Sequence, residues 1–380
     1  MAYDLLLKGG TLVDPAEAIH ARKDVAFAQG RVAAVADDIS KTEARDYLDC
    51  AERIIAPGMI DLHVHVFWGV SHYGIPPDPH CIAKGVTTAV DAGCAGADTF
   101  PGFRKYVIEV SDTRLFAHLN ISSQGMLSKE IGELDDIRYA DVSKALTCIE
   151  ENRDLILGVK VRLTRGEIVS EASGIRPLYL AREAADAAGM PIMVHPQDAW
   201  CDSLDDILAV MGEGDILTHS FHGWDTHGIL DDQGKIRESV YEARERGVIF
   251  DIGHGAGSFN WNVAERALAQ DFLPQTISSD LHIYNVEGPV FDLATTVSKF
   301  LHLGLSLDDA IRRVTATPAQ SIGFKDELGT LKVGAWGDAV VFDLQKGDFE
   351  YWDSDGQVRT GKQRLVPVNV VRAGRIYGSD

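Results

Sequence analysis

The order of hydrophobic and polar positions divides the chain into a middle region and two similar ends. In the middle, short apolar runs rich in β-branched residues alternate with segments of helical periodicity. Near-continuous apolar strands are typical of a parallel sheet that is covered on both faces. The runs predicted as strands are Met59–Val66, Val86–Cys94, Arg114–Ser123, Leu155–Leu163, Pro191–Pro196, Asp215–His222, Val248–His254 and Thr276–Leu281.

Eight such strand–helix units predict a TIM (β/α)8 barrel. Helices are predicted between the strands at Ser143–Arg153, Ile175–Ala188, Lys235–Arg246 and Asn262–Gln270. An open, doubly wound sheet is the alternative. It is less favoured because no phosphate-binding glycine turn follows the first strand.

Both ends of the chain have short strands and tight turns. At the start, Tyr3–Lys8 and Thr11–Val13 flank Gly9-Gly10, and a hairpin is predicted around Gln29-Gly30. At the end, Ala339–Asp343 and Val366–Ala373 have the same character. Two β-rich ends around a different middle predict a small sheet that is built from both termini.

Composition and charge exclude several classes of protein. The chain has 380 residues and is 45% hydrophobic, which is typical of a globular protein. Its net charge of −21 creates a negative electrostatic field that repels phosphates. We therefore expect neither a nucleic-acid nor a membrane partner. No apolar run reaches the length of a membrane span, and the start lacks the features of a signal peptide. Five separated cysteines without a CxxC pair favour a reducing, cytoplasmic location.

Histidines and one aspartate lie where predicted strands end. His63 and His65 are two residues apart on one strand, so their side chains share a face. His195 and His219 end the fifth and sixth strands, and Asp280 follows the eighth. Each histidine alone could be a hydrogen-bonded core residue. Together they predict a cation site, because imidazole is a common metal ligand and a buried carboxylate needs a positive partner.

Lys160 lies in the middle of the apolar fourth strand. A buried ammonium is costly and its pKa falls, which leaves three interpretations. The lysine could be ion-paired, it could form a Schiff base as in a lyase or aldolase, or its neutral amine could react with CO₂ to give a carbamate. Only the carbamate interpretation also accounts for the histidines and Asp280, because a carbamate is an anion that can bridge two cations.

This ordered set of residues resembles the binuclear pattern of the amidohydrolase superfamily. The segments "IIAPGMIDLHVHV", "GVTTAVDAG" and "GTLKVGAWGDAVVFD" are also similar to those of dihydroorotase, D-aminoacylase and isoaspartyl dipeptidase. The resemblance implies a TIM barrel over residues 56–325. It also implies a small β-sandwich domain that is formed by residues 1–55 and 326–380.

The resemblance also implies roles for single residues. His63, His65 and Asp280 would bind the more buried of two divalent cations, and His195 and His219 the other. Carboxylated Lys160 would bridge them together with a hydroxide. Zn²⁺ is the expected metal, and Mn²⁺, Fe²⁺ or Co²⁺ would also fit this ligand set. Asp280 would act as the catalytic base and then as the acid that protonates the leaving group.

The expected substrate is a small anion. Arg162 shares a face with Lys160 and could hold a carboxylate, although an ion pair is an equal alternative. Tyr73 lies in a loop that could form a hydrophobic wall, or only pack over the rim. His254 and Gly255 lie in a glycine-rich turn whose backbone amides suit an anion. Phe67 stands where dihydroorotases usually have the arginine of an HxHxR motif.

These residues predict a metal-dependent deacylase. It would cleave the amide or ester bond of a small acylated carboxylic acid, such as an N-acyl amino acid or an O-acyl α-hydroxy acid. A cyclic amidohydrolase of the dihydroorotase kind is the alternative. A non-catalytic binding or assembly protein on the same scaffold is disfavoured because no ligand position is lost. We also expect a homo-oligomer.

Overall fold

The computed structural model describes residues 1–378 and contains two sheets. The strands are β1 Tyr3–Asp14, β2 Ile19–Ala28, β3 Arg31–Ala36, β4 Ala44–Asp49, β5 Ile54–Pro57, β6 Met59–Val64, β7 Val86–Gly96, β8 Arg114–Asn120, β9 Ile156–Arg162, β10 Ile192–His195, β11 Ile216–Leu217, β12 Ile249–Phe250, β13 Ala339–Trp352, β14 Val358–Arg372 and β15 Arg375–Ile376. The α-helices are α1 Pro77–His80, α2 Phe100–Tyr106, α3 Val142–Glu151, α4 Arg176–Ala188, α5 Leu204–Leu208, α6 Glu238–Glu245, α7 Trp261–Leu268, α8 Leu293–His302, α9 Leu307–Arg312 and α10 Ala316–Ser321.

The middle of the chain forms a parallel sheet in sequence order. Strands β6 to β12 pair with their chain neighbours, and every pairing is parallel. The predicted eighth strand contributes only two single bridges, Asp251–Thr276 next to β12 and Val64–Leu281 next to β6. These bridges connect the two outer strands, so the curled sheet closes at this segment. The backbone of Asp280 has a φ of +49°, which is incompatible with a continuous strand there.

The helices between the strands agree with the hydrophobic pattern. Predicted helices overlap α3, α4, α6 and α7, and each turns its alanine and large apolar residues towards the sheet. Helix α4 ends at Gly189 in the left-handed conformation that glycine favours. The largest group of buried apolar side chains surrounds the parallel sheet. Within residues 1–378, helices long and apolar enough to cross a membrane are absent.

Both termini pair in a second sheet, as the sequence predicts. Its order is β15-β14-β13-β5-β1-β2-β3, and β4 pairs with β1. Strand β5 joins the two ends, because it lies between β1 and β13. The boundary predicted after residue 55 therefore falls inside a strand. Whether this sheet forms a two-layer sandwich remains a prediction.

Two details of the terminal sheet differ from the prediction. Gly9 and Gly10 do not form a turn between two strands; they form an irregularity within β1, where the register with β2 shifts. Strands β13 and β14 are much longer than predicted and form an extended hairpin. Their added residues are largely polar and exposed, so they lack the alternating apolar pattern by which strands are recognised.

Candidate metal centre

All the predicted ligands line one cavity at the carboxyl ends of the parallel strands. His63 is the second-last residue of β6 and His65 directly follows that strand, Lys160 lies in β9, and His195 ends β10. The complete ligand set on the cavity wall is His63, His65, Lys160, His195, His219 and Asp280. The carboxyl ends of barrel strands are where barrel enzymes place their active sites.

The first group of ligands is close enough to share one cation. Oδ1 of Asp280 lies 3.3 Å from Nε2 of His63 and 3.0 Å from Nε2 of His65. The three ligand atoms lie within 4.8 Å of one another, and all three residues are buried. Among the described residues this carboxylate oxygen accepts no hydrogen bond. A buried charged oxygen in that state is costly unless a cation lies between these atoms.

Hydrogen bonds on the opposite ring nitrogens orient the histidines. Nδ1 of His219 lies 2.7 Å from the carbonyl oxygen of Gly253, which can only accept, so Nδ1 carries the proton. Nδ1 of His63 lies 2.8 Å from Oγ1 of Thr218, which donates its own proton to Asp251. His63 must therefore also be protonated on Nδ1. In both rings Nε2 keeps its lone pair for a metal.

The other two imidazoles have similar support. Nδ1 of His65 lies 3.2 Å from Sγ of Cys94, and Nε2 of His195 lies 3.0 Å from Oγ1 of Thr164. The rings of His195 and His219 are 4.4 Å apart, so these two residues form a second group beside His63. Burial keeps the pKa of each of the four histidines below its ordinary value, to about 3 for His219. Neutral imidazole is the form that binds metals.

Lys160 reaches the same cavity with an unsatisfied amine. It is fully buried, and its Nζ has no hydrogen-bond partner within residues 1–378. Burial lowers the pKa of this amine to about 7, against the opposing charge of Asp280. Gly93 makes room for it: a Cβ there would lie 2.7 Å from Cγ of Lys160. An amine with a lowered pKa and no partner fits the predicted reaction with CO₂ and contradicts the ion-paired alternative.

The cavity also brings together residues around which a substrate could bind. Arg162 and Tyr73 both line it, and the guanidinium lies 5.2 Å from the centre of the Tyr73 ring. Arg162 also forms a buried ion pair with Glu133, whose other oxygen accepts a hydrogen bond from Asn120 at 2.8 Å. The sequence offers two alternative roles for Arg162, binding a substrate carboxylate and forming an ion pair. The ion pair with Glu133 leaves Arg162 on the cavity wall, so the two roles are compatible.

The prediction for the glycine-rich turn needs correction. The side chain of His254 does not reach the cavity; it stacks on Phe259, and its Nε2 lies 2.6 Å from Nζ of Lys299. The amide of Gly255 donates to Ser279 and is not available to an anion. Gly255 instead allows close packing, because a Cβ there would lie 2.3 Å from Oδ2 of Asp280. The following residues Ala256, Gly257 and Ser258 form the cavity wall.

Several cavity residues escaped the sequence analysis as substrate contacts. They are Thr164, Glu167, Ile168, Trp224, His282 and Tyr284. Most of them follow the carboxyl ends of strands, and that position was their only signal. Phe67 does not line the cavity; it is buried against Phe103, with ring centres 4.8 Å apart.

Comparison with known proteins agrees with this geometry. The chain matches the Amidohydrolase family over residues 54–377. It is 37% identical to a deacetylase of Enterococcus faecalis, covering 99% of this chain and 100% of that one. A solved structure described as an adenine deaminase has a TM-score of 0.90 at 36% identity, covering 99% and 100% of the two chains. One described as a dihydroorotase has a TM-score of 0.89 at 36% identity, covering 99% and 97%. The chain therefore belongs to the amidohydrolase family and is a hydrolase.

Proposed function

We propose that this hydrolase is a metal-dependent deacylase of small acylated carboxylic acids, with N-acyl amino acids and O-acyl α-hydroxy acids as the substrate class. The observation that carries the proposal is the buried, unpartnered amine of Lys160 beside His63 and Asp280. In that setting the amine would react with CO₂, and the resulting carbamate would be a ligand to both cations. The printed name of the Enterococcus relative, deacetylase, supports the same chemistry.

The donor set fits two divalent cations. His63, His65 and Asp280 would hold one, His195 and His219 the other, and the Lys160 carbamate would bridge them. Zn²⁺ suits imidazole and carboxylate ligands, and Mn²⁺, Fe²⁺ and Co²⁺ remain alternatives. When bound, such cations polarise a carbonyl oxygen and lower the pKa of water.

The protein's own groups then move the proton and hold the substrate. Oδ1 of Asp280 faces Nε2 of His63 and His65, where the cation would lie, so its other oxygen, Oδ2, would take the proton of the attacking water and deliver it to the leaving nitrogen or oxygen. Arg162 gives one N–H to Glu133 and has others for a substrate carboxylate. The amides of Ala256 and Gly257 have no recorded partner within residues 1–378 and lie on the cavity wall. They offer the anion a second contact.

A cyclic amidohydrolase of the dihydroorotase kind is the second candidate. The printed description of one similar solved structure favours it. Phe67 argues against it, because a phenyl ring packed on Phe103 supplies no charge for an orotate carboxylate.

A substrate screen separates these candidates. The enzyme is loaded with zinc and bicarbonate and assayed with N-acetyl amino acids, O-acetyl hydroxy acids and dihydroorotate. We expect turnover of acetylated acids and none of dihydroorotate. The Lys160→Met variant, purified in parallel, reveals any contaminating esterase. Turnover of dihydroorotate alone would overturn the proposal. Less than one metal per chain after loading would instead favour a non-catalytic protein.

Three wider expectations stand as proposals. The terminal strands would form a β-sandwich domain beside the barrel. The protein would assemble as a homo-oligomer in the cytoplasm. Its partner would be a small anion, and the acidic excess would lie on the outer surface, away from a cavity that holds two cations and Arg162.

A further inference from the structure

The tip of the long terminal hairpin contacts the wall of the metal cavity. We define the hairpin tip as residues 352–358, from the last residue of β13 to the first residue of β14, and the cavity turn as residues 253–258. The cavity turn carries Ala256, Gly257 and Ser258 on the cavity side. Its outer side faces the hairpin tip. An element built from the end of the chain thus supports a wall of the site.

Ser354 makes the central contact. Its hydroxyl oxygen lies 3.2 Å from the amide nitrogen of Ser258 and 3.1 Å from that of Phe259. The hydroxyl in turn donates towards the carbonyl of Gly255, at 3.1 Å. The amide of Ser354 donates to the carbonyl of Phe259, at 2.9 Å. One side chain therefore satisfies backbone groups on both sides of Ala256 and Gly257.

Two aspartates fix the hairpin tip on the same segment. Oδ2 of Asp353 accepts from the amide of Trp261 at 3.1 Å, at the start of α7. Oδ2 of Asp355 accepts from the side chain of Asn260 at 2.6 Å. Asp353 is buried, so its contact is not a solvated surface interaction. The position of Ser354 is thereby determined relative to the barrel.

Lys299 ties the base of the cavity turn to the same hairpin. Its buried amine lies 2.6 Å from the carbonyl oxygen of Trp352, 2.9 Å from that of Pro289 and 2.6 Å from Nε2 of His254. It thus joins the first part of the cavity turn to the strand that leads into the hairpin tip.

The cavity turn needs support from outside because of its own composition. Gly253 and Gly255 have φ values of +48° and +54°, and Gly257 follows. Glycine backbones have more freedom than others, so the turn does not hold its amides in place by itself. A side chain cannot stiffen it from within, since a Cβ at Gly255 would collide with Asp280.

We propose that Ser354 is a positioning residue that fixes the amides of Ala256 and Gly257 where they meet the substrate carboxylate. This role in substrate affinity rests on the deacylase function proposed above. The role of Ser354 in fixing the cavity turn does not depend on that function. Ser354 touches neither the predicted ligands nor the reacting bond, so its loss should weaken binding and leave the chemical step intact.

The test compares Ser354→Ala with Ser321→Ala in the full-length, zinc-loaded protein. Ser321 is half-buried, and its hydroxyl also bonds a backbone carbonyl, at 2.9 Å, but in α10. Hydrogen–deuterium exchange is measured over residues 253–261. We expect about tenfold faster exchange in Ser354→Ala, which corresponds to a net loss of about 1.4 kcal/mol when the amides of Ser258 and Phe259 lose the acceptor that they share. We expect no change in Ser321→Ala, and recovery in Ser354→Thr, which keeps the hydroxyl. Unchanged exchange in Ser354→Ala overturns the proposal.

Steady-state kinetics test the proposed effect of Ser354 on substrate binding. KM for acetylated acids should rise about tenfold in Ser354→Ala, with kcat within a factor of two. Hydrolysis of 4-nitrophenyl acetate, which has no carboxylate, should not change. A fall in kcat with constant KM would refute positioning of the anion site. If no acylated acid is a substrate, the proposed function fails, while the exchange result still decides whether Ser354 holds the turn.

Discussion

Replacement of Lys160 by methionine should make the metal-free protein more stable. The amine is fully buried and unpartnered, so in the absence of a cation it contributes only the cost of its burial. Methionine has a similar length and no charge, and it can occupy the same space. A residue whose removal increases stability and abolishes activity is retained for function.

The size of the effect follows from the pKa of the amine. Burial lowers it from 10.5 to about 7, and a pKa difference of one corresponds to about 1.4 kcal/mol. Because the folded state binds the proton less tightly than the unfolded state, the penalty is complete below pH 7, at about 5 kcal/mol. It decreases to about 2 kcal/mol near pH 9 and vanishes above the unfolded pKa. The advantage of Lys160→Met should therefore shrink as the pH rises.

Denaturant unfolding measures this directly. Wild type and Lys160→Met are unfolded in guanidinium chloride with EDTA, in CO₂-free buffer at pH 6.5, 8 and 9.5. Lys299→Met is the matched control. Lys299 is equally buried and its pKa is also lowered to about 7, but its amine donates to two carbonyls. Its removal leaves these acceptors unpaired, which offsets the relief of no longer burying the amine, so this variant should gain much less stability than Lys160→Met.

One outcome would refute the reasoning. If Lys160→Met were no more stable than wild type at pH 6.5, or its advantage did not depend on pH, burial would not lower the pKa of the Lys160 amine. Its proposed reaction with CO₂ would then lose its physical basis.

Three further predictions concern the metal centre. Lys160→Ala should lose zinc and activity, and a short carboxylic acid should partly restore both; full activity without the acid would exclude a bridging role. Thr218→Val should weaken zinc binding about 10- to 100-fold in a competition assay, because the proton on Nδ1 of His63 loses its acceptor; unchanged affinity would contradict this. Gly255→Ala should lower kcat about 100-fold while the circular dichroism spectrum is retained, because its Cβ would displace Asp280; normal kcat would show that the turn can yield.

The metal ligands could be predicted because they are polar residues within, or at the end of, apolar strands. A lysine or histidine in an apolar strand is costly, so His63, Lys160 and His195 stand out from any single sequence. The period-two rule assigned His63 and His65 to one face. The helices α3, α4, α6 and α7 were recognised for a similar reason, because burial imposes a period on their apolar residues.

Other parts of the site carry no local signal. Glu133 and Ser354 reach the cavity region from a loop and from a distant hairpin, and a polar residue in such a segment is unremarkable. His254 was assigned to the substrate because it follows a strand. The left-handed glycines on either side of it turn its side chain towards Lys299, and backbone reversal of that kind is not encoded by hydrophobic periodicity.

The pairing of both termini in one sheet has a consequence for synthesis. Strand β5 becomes available early, but its partner β13 is made roughly 280 residues later, which at about 5–20 residues per second is about 15 to 60 seconds on the ribosome. During that interval the buried edge of Ile54–Pro57 has no partner on one side. Such an edge can pair with another chain. Until β13 has been made, this edge of β5 therefore stays a site where the nascent chain could pair with another chain.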